Sequence, residues 1–221
     1  MNQRNYQKEL DKILQKMTGE LSTEGSPKTL FLHSCCAPCS SYVLEYLSKY
    51  FKITVFYYNP NISAYEEYFK RVEEQKRLIN SYNEKGMGYP IAVVEGDYKP
   101  QVFFEVAKGF ENCPEGGERC FKCYELRLKE TARKGKEAGA DYFATTLTIS
   151  PLKNAPKLNE IGEKLAKEYD IFWLPSDFKK KEGYKRSIEL SAEYGLYRQD
   201  YCGCAYSKAE RERQKASESL V

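Results

Sequence analysis

Short apolar runs alternate with longer amphipathic stretches along this chain, and that alternation leaves few folds open. Residues 29–33, 53–58, 91–95, 141–147 and 171–174 read as buried strands. Helical patterns stand between and around them: 1–16, 63–83, 101–108, 119–138, 155–168, 182–194 and 207–217. A further helix is expected to start at Ser40 and Ser41, with Val43, Leu44, Leu47 and Phe51 as its apolar stripe. Strands and helices that alternate at this spacing form βαβ units. The expectation is therefore an α/β protein with a mainly parallel sheet and helices on both faces. Functional sites in such sheets gather beyond the C-terminal ends of the strands.

A chain of 221 residues, 41% hydrophobic and 30% charged, suits one soluble domain with an elaboration. Residues 1–16 are polar and lack the apolar core and cleavage site of a signal peptide, and no apolar run is long enough to span a bilayer. The expected location is the cytoplasm, where thiols stay reduced, with no membrane partner. A net charge of +3 permits a nucleic-acid partner without demanding one.

The eight cysteines are grouped: Cys35, Cys36 and Cys39; Cys120 and Cys123, with Cys113 upstream; Cys202 and Cys204. In the expected compartment a disulfide framework is disfavoured. Clustering instead suits thiolates that share a metal or trade electrons. The first group occupies the strand-to-helix loop where a nucleotide-binding protein carries glycines, and it has none, which argues against a phosphate loop. The helix N-terminus still stabilises thiolates there. A structural zinc fits Cys120 and Cys123. Adjacent Cys35 and Cys36 fit one tetrahedral ion poorly, whereas a multi-iron cluster offers each its own iron, so the spacing favours a [4Fe–4S] cluster held by four thiolates. Cys202-Gly203-Cys204 reads as a redox dithiol, because so small a disulfide ring is strained and easily reduced. Its alternative is further metal ligation. Cys39 and Cys113 read as spare thiols.

His33, the single histidine, reads as a satisfied strand residue rather than a ligand. Tyr57 and Tyr58 end a strand, where a ring can pack or stack on a base. Basic runs flank the third cysteine group: Lys179, Lys180, Lys181, Lys185 and Arg186 before it, Lys208, Arg211, Arg213 and Lys215 after it. Such runs are commonly solvated faces, but here they favour a phosphate-bearing substrate, RNA first among them.

Residues 33–39 (HSCCAPC), 58–62 (YNPNI), 119–128 (RCFKCYELRL), 144–151 (ATTLTISP), 177–180 (DFKK) and 197–204 (YRQDYCGC) together resemble the QueH-type epoxyqueuosine reductases. The resemblance runs from about residue 30 to 206 and leaves residues 1–28 as an N-terminal helical extension of a single catalytic domain, 29–221. It implies a Rossmann-like fold of the HUP group, related to the PP-loop enzymes. It implies an oxidoreductase that converts epoxyqueuosine to queuosine at the anticodon wobble position of tRNA, the last step of queuosine biosynthesis, without cobalamin. The family's cluster ligands map onto Cys35, Cys36, Cys120 and Cys123, and its redox pair onto Cys202 and Cys204. An additional mononuclear iron is compatible with that site, with Asp97 as an oxygen ligand or a solvated loop acid. The electron donor is unidentified. The competing readings are a cluster enzyme acting on a small molecule and a zinc- or redox-sensing RNA-binding module without catalysis.

Overall fold

Period-two alternation decides which side of a sheet each strand residue serves, and here both sides are covered. The structure is a computed structural model that describes residues 4–218. The strands are β1 (Thr29–His33), β2 (Lys52–Tyr57), β3 (Ile91–Glu95), β4 (Tyr142–Thr145) and β5 (Phe172–Trp173). The helices are α1 (Tyr6–Glu24), α2 (Ala37–Leu47), α3 (Tyr65–Glu84), α4 (Pro100–Ala107), α5 (Glu118–Glu137), α6 (Ala155–Tyr169), α7 (Gly183–Glu193) and α8 (Ala205–Glu218). All strand pairs are parallel and the sheet order is β3-β2-β1-β4-β5, so the expected α/β, Rossmann-like architecture is present.

Leu30, Leu32, Ile53, Val55 and Ala144 face one core with Val43, Leu44 and Leu47 of α2 and Leu78, Ile79 and Tyr82 of α3. Phe31, Phe56, Phe143 and Trp173 face the other, with Tyr124, Leu128 and Ala132 of α5 and Leu158, Ile161 and Leu165 of α6. The N-terminal helix buries Leu10, Leu14 and Met17 against the first core, each contributing roughly 2 kcal/mol. Residues 1–3 and 219–221, at the outer limits of the expected extension and domain, lie outside the described residues. No described helix is long and apolar enough to cross a membrane.

Several boundaries differ from expectation, the N-terminal helix running from Tyr6 to Glu24 rather than over 1–16. Helix α2 begins at Ala37, with Cys36 as its N-cap and Pro38 in its first turn. Proline suits that position, where its missing N–H costs nothing. The first cysteine group is thus the helix start itself, not a loop ahead of Ser40. Strand β4 stops at Thr145, because the Thr145 side chain accepts the Leu147 N–H and opens a 3-10 turn at Thr146–Ile149. Strand β5 is only two residues long.

Helices α5 and α6 lie together on the second face, and Gly162 lets α6 approach the Trp173 indole. A Cβ at Gly162 would stand 2.3 Å from two indole carbons. The helix propensity gained by alanine is about 1 kcal/mol, less than a clash with a fixed ring that is itself held by Asn159 at 3.0 Å. Gly162→Ala should therefore destabilise by about 1–3 kcal/mol, seen as a melting temperature several degrees lower.

The order in which the chain adds strands reverses between β1 and β4, which pair in parallel with His33 opposite Thr145. Beyond their C-terminal ends a crevice opens, and the first cysteine group stands at its edge.

Candidate metal and redox site

Three chain segments bring their thiols to this crevice. The loop after β1 and the first turn of α2 supply Cys35, Cys36 and Cys39, whose sulfurs all lie within 4.8 Å of one another. The Cys39 thiol, read from the sequence as spare, is one of this trio. The first turns of α5 supply Cys120 and Cys123, both buried. The turn before α8 supplies Cys202 and Cys204, with sulfurs 3.5 Å apart. All eight cysteines are free thiols.

Two cavities join the groups. The larger, of about 160 Å³, is lined by Cys35, Cys36, Cys39 and Cys202, with Arg71, Arg127, Lys153 and Arg198 among the other walls. The smaller, of about 20 Å³, is lined by Cys120, Cys123, Cys202 and Cys204, again with Arg127 and Lys153. Cys202, Arg127 and Lys153 line both, so the cavities adjoin. Cys35 also packs against the apolar cluster that contains Cys120. Cys113 and Asp97 line neither cavity. Asp97 is exposed and pairs with Lys99 at 2.6 Å, the solvated loop acid of the two readings.

Arg127 is the electrostatic centre. One turn after Cys123 on α5, it is 3% exposed. Its Nη2 donates to Asn59 Oδ1 at 2.7 Å, its Nε to His33 Nε2 at 3.2 Å and its Nη1 to the Cys123 sulfur at 3.8 Å. No carboxylate pairs with it among the described residues. A buried cation without an anionic partner is costly. Burial works against its charge, and the Cys123 and Cys35 sulfurs outweigh burial and hold the guanidinium charged. Of the two, Cys35 is the one held well below the ordinary thiol range, and so the counter-ion. His33 Nδ1 shares a hydrogen bond with the Thr145 hydroxyl at 2.8 Å, and Nε2 faces both the Arg127 Nε and the Tyr58 carbonyl, each at 3.2 Å. Burial, then Arg127, lowers the His33 pKa to about 3, so the ring is neutral. It is a satisfied strand residue, as expected.

Cys35 is held well below the ordinary thiol range, first by hydrogen bonds from Cys36 and Cys39 and then by Arg127. The same sharing with Cys35 pushes Cys36 up to about 12. Burial raises Cys120 and Cys123. The Gly116 N–H nevertheless donates to the Cys120 sulfur at 3.2 Å, a contact that favours the thiolate. In the third group Cys202 is lowered, chiefly by Cys204 and then by the Lys153 ammonium, while Cys204 is raised. The Ser207 N–H donates to Cys204 at 3.3 Å. The backbone there is fixed: Asn61 and Arg71 both donate to the Cys202 carbonyl, each at 3.3 Å. Gly203 has φ +105, and a Cβ on it would meet Ile62 at 2.8 Å.

This donor set fits a thiolate-bound metal centre. It has soft sulfur donors, of which Cys35, Cys36 and Cys39 are the one group of three within 4.8 Å among the described residues, N–H donors to sulfur, and buried cations to offset the negative charge that such a centre carries. Cys35, Cys36 and Cys39 can together bind a metal.

The basic runs expected to meet phosphate are mostly occupied elsewhere. Lys181 pairs with Asp11, Lys179 with Asp177, Lys185 with Glu182, and Arg186 with Glu45 and Glu189. The cations that face the cavity are Arg71, Arg127, Lys153 and Arg198, none of which composition marks out. Only the spacing of Arg127 four residues after Cys123 offered a signal.

The family described as epoxyqueuosine reductase QueH matches residues 30–210. The chain is 43% identical over 199 residues to the epoxyqueuosine reductase QueH of Staphylococcus epidermidis, covering 89% of this chain and 83% of that protein. It is 38% identical over 191 residues to the one of Acinetobacter baylyi, covering 86% and 84%. It is 32% identical over 194 residues to the one of Thermotoga maritima, covering 85% and 94%.

Proposed function

The chain belongs to the epoxyqueuosine reductase QueH family of oxidoreductases, and on that footing we propose that it reduces epoxyqueuosine to queuosine in the anticodon loop of tRNA, the last step of queuosine biosynthesis, without cobalamin. The observation that carries this reading is that thiols from three segments line two adjoining cavities walled by cations, Arg71 and Arg127 among them buried. We assign the protein to the cytoplasm, and its re-reduction to an external electron donor whose identity is open.

In this reading Cys35, Cys36, Cys120 and Cys123 hold a [4Fe–4S] cluster. Cys39, the third sulfur of the first group, remains as a donor for an additional mononuclear iron. When bound, the iron supplies a Lewis acid for the epoxide oxygen and a one-electron relay.

The chain's own groups do the rest. The wobble nucleotide leaves the loop's stack and enters the larger cavity, where the exposed Arg198 suits its phosphates. Lys153 holds positive charge beside Cys202, and its pairing with Glu115 at 2.6 Å keeps it in place. As both carbon–oxygen bonds break, a carbon–carbon double bond forms and the oxygen departs as water. The Cys202/Cys204 dithiol becomes a disulfide, and its two protons and two electrons balance that water. The sulfurs start 3.5 Å apart and a disulfide needs about 2 Å, so the pair must close by about 1.5 Å.

Protein reduced and kept anaerobic should convert tRNA bearing epoxyqueuosine, and nucleosides from digested tRNA should contain queuosine. A brown preparation containing iron and sulfide should accompany that activity. A colourless, zinc-loaded protein that binds RNA and yields no queuosine would replace this reading with the sensing module.

A further inference from the structure

The larger cavity has four cationic walls, Arg71, Arg127, Lys153 and Arg198, and only two carboxylates, Glu115 and Asp200. Glu115 is engaged by Lys153 at 2.6 Å. Asp200 is held differently. Its two cationic partners, Arg211 at 3.8 Å and Lys215, both come from α8, both sit on Oδ2, and neither lines the cavity. They grip the carboxylate from behind. Exposed pairs of this kind are worth little, so they orient the group without neutralising it. The hydrogen bond from Lys215 holds its pKa below the ordinary range, and the group is ionised.

Epoxyqueuosine carries its epoxycyclopentane ring on a secondary amine, joined by a methylene to a 7-deazaguanine. Such an amine is protonated near neutral pH. In a cavity whose walls carry four cations, with Arg71 paired to Glu67 and Lys153 to Glu115, a substrate ammonium is drawn only to a carboxylate. Resting on the substrate proposed above, we propose that Asp200 receives this ammonium and so places the adjoining epoxide before the thiols. Asp200 lies two residues before Cys202, within about 7 Å along the backbone. The intervening Tyr201 is half-buried beside Arg71, its ring 5.4 Å from the guanidinium, which steadies the segment.

The test compares two nucleosides on the metal-loaded, full-length protein by calorimetry, which needs no turnover. One is 7-aminomethyl-7-deazaguanosine, a cation; the other is 7-cyano-7-deazaguanosine, which is neutral. Wild type should bind the cation at least about tenfold more tightly, the scale of a charged hydrogen bond. Asp200→Asn should erase that preference and Asp200→Glu should keep part of it. Lys215→Gln weakens the grip of α8 and leaves the carboxylate, so the preference should persist. A wild type that binds neither nucleoside or shows no preference, or an Asn variant that retains it, overturns the proposal. Failure of the reductase reading shows separately, as tRNA that yields no queuosine whatever the nucleoside ratio.

Discussion

Cys120→Ser is expected to lose iron, colour and turnover together, whereas Cys202→Ser should keep the iron and the colour and lose turnover alone. Both variants should fall at least about a hundredfold in rate, a conservative figure for removing a ligand or the electron source. The contrast follows from position. Cys120 stands in the first turn of α5, buried, with the Gly116 N–H on its sulfur. Serine there offers a weaker, harder donor to iron. Cys202 stands on a separate turn fixed by Asn61 and Arg71 through its carbonyl, which serine leaves unchanged. Iron and sulfide quantitation, an absorption spectrum and single-turnover assays on each variant decide the matter. A bleached Cys202→Ser protein would move that cysteine into the ligand set and remove the dithiol from the mechanism.

The second large effect is expected at Arg127. Replacing it with methionine removes a buried cation whose partners are Asn59, His33 and the Cys123 sulfur. In metal-free protein the change should cost about 1–3 kcal/mol, because it leaves the buried Asn59 Oδ1 without its donor. In metal-loaded protein it should cost several kcal/mol, because an anionic centre then lacks its buried counter-charge. The reduced centre carries one more negative charge than the oxidised one, so its midpoint potential should drop by at least about 60 mV, a tenfold shift for one electron. Melting curves with and without metal, together with a redox titration, separate this role from simple packing. A variant equally destabilised in both states would make Arg127 a structural residue. A zinc centre would give no potential to titrate.

The sheet was legible because apolar runs of four to seven residues between amphipathic stretches admit little besides parallel strands. The errors lie where polar groups override that pattern. Thr145 accepts the Leu147 N–H and turns an apolar strand into a 3-10 turn. Pro38 starts α2 three residues before the serines that looked like its cap. The cysteine groups were legible through their clustering. The place of Cys39 was hidden, because only the helix start reveals that its sulfur returns to Cys35 and Cys36. The charged walls were least legible. Runs of lysine drew attention in the sequence, yet they are taken up by carboxylates nearby, as Asp177 is for Lys179, or far along the chain, as Asp11 is for Lys181. The isolated Arg71, Arg127, Lys153 and Arg198 carry the field, and nothing in their own neighbourhoods but the spacing of Arg127 announces it.

Cys202 borders both cavities, while Cys204 is 5% exposed. If this couple fuels deoxygenation, reductant and nucleotide compete for one doorway. The catalytic cycle then becomes strictly sequential. Modified RNA must depart before spent sulfur is recharged, and a donor waiting outside is silent until the doorway clears.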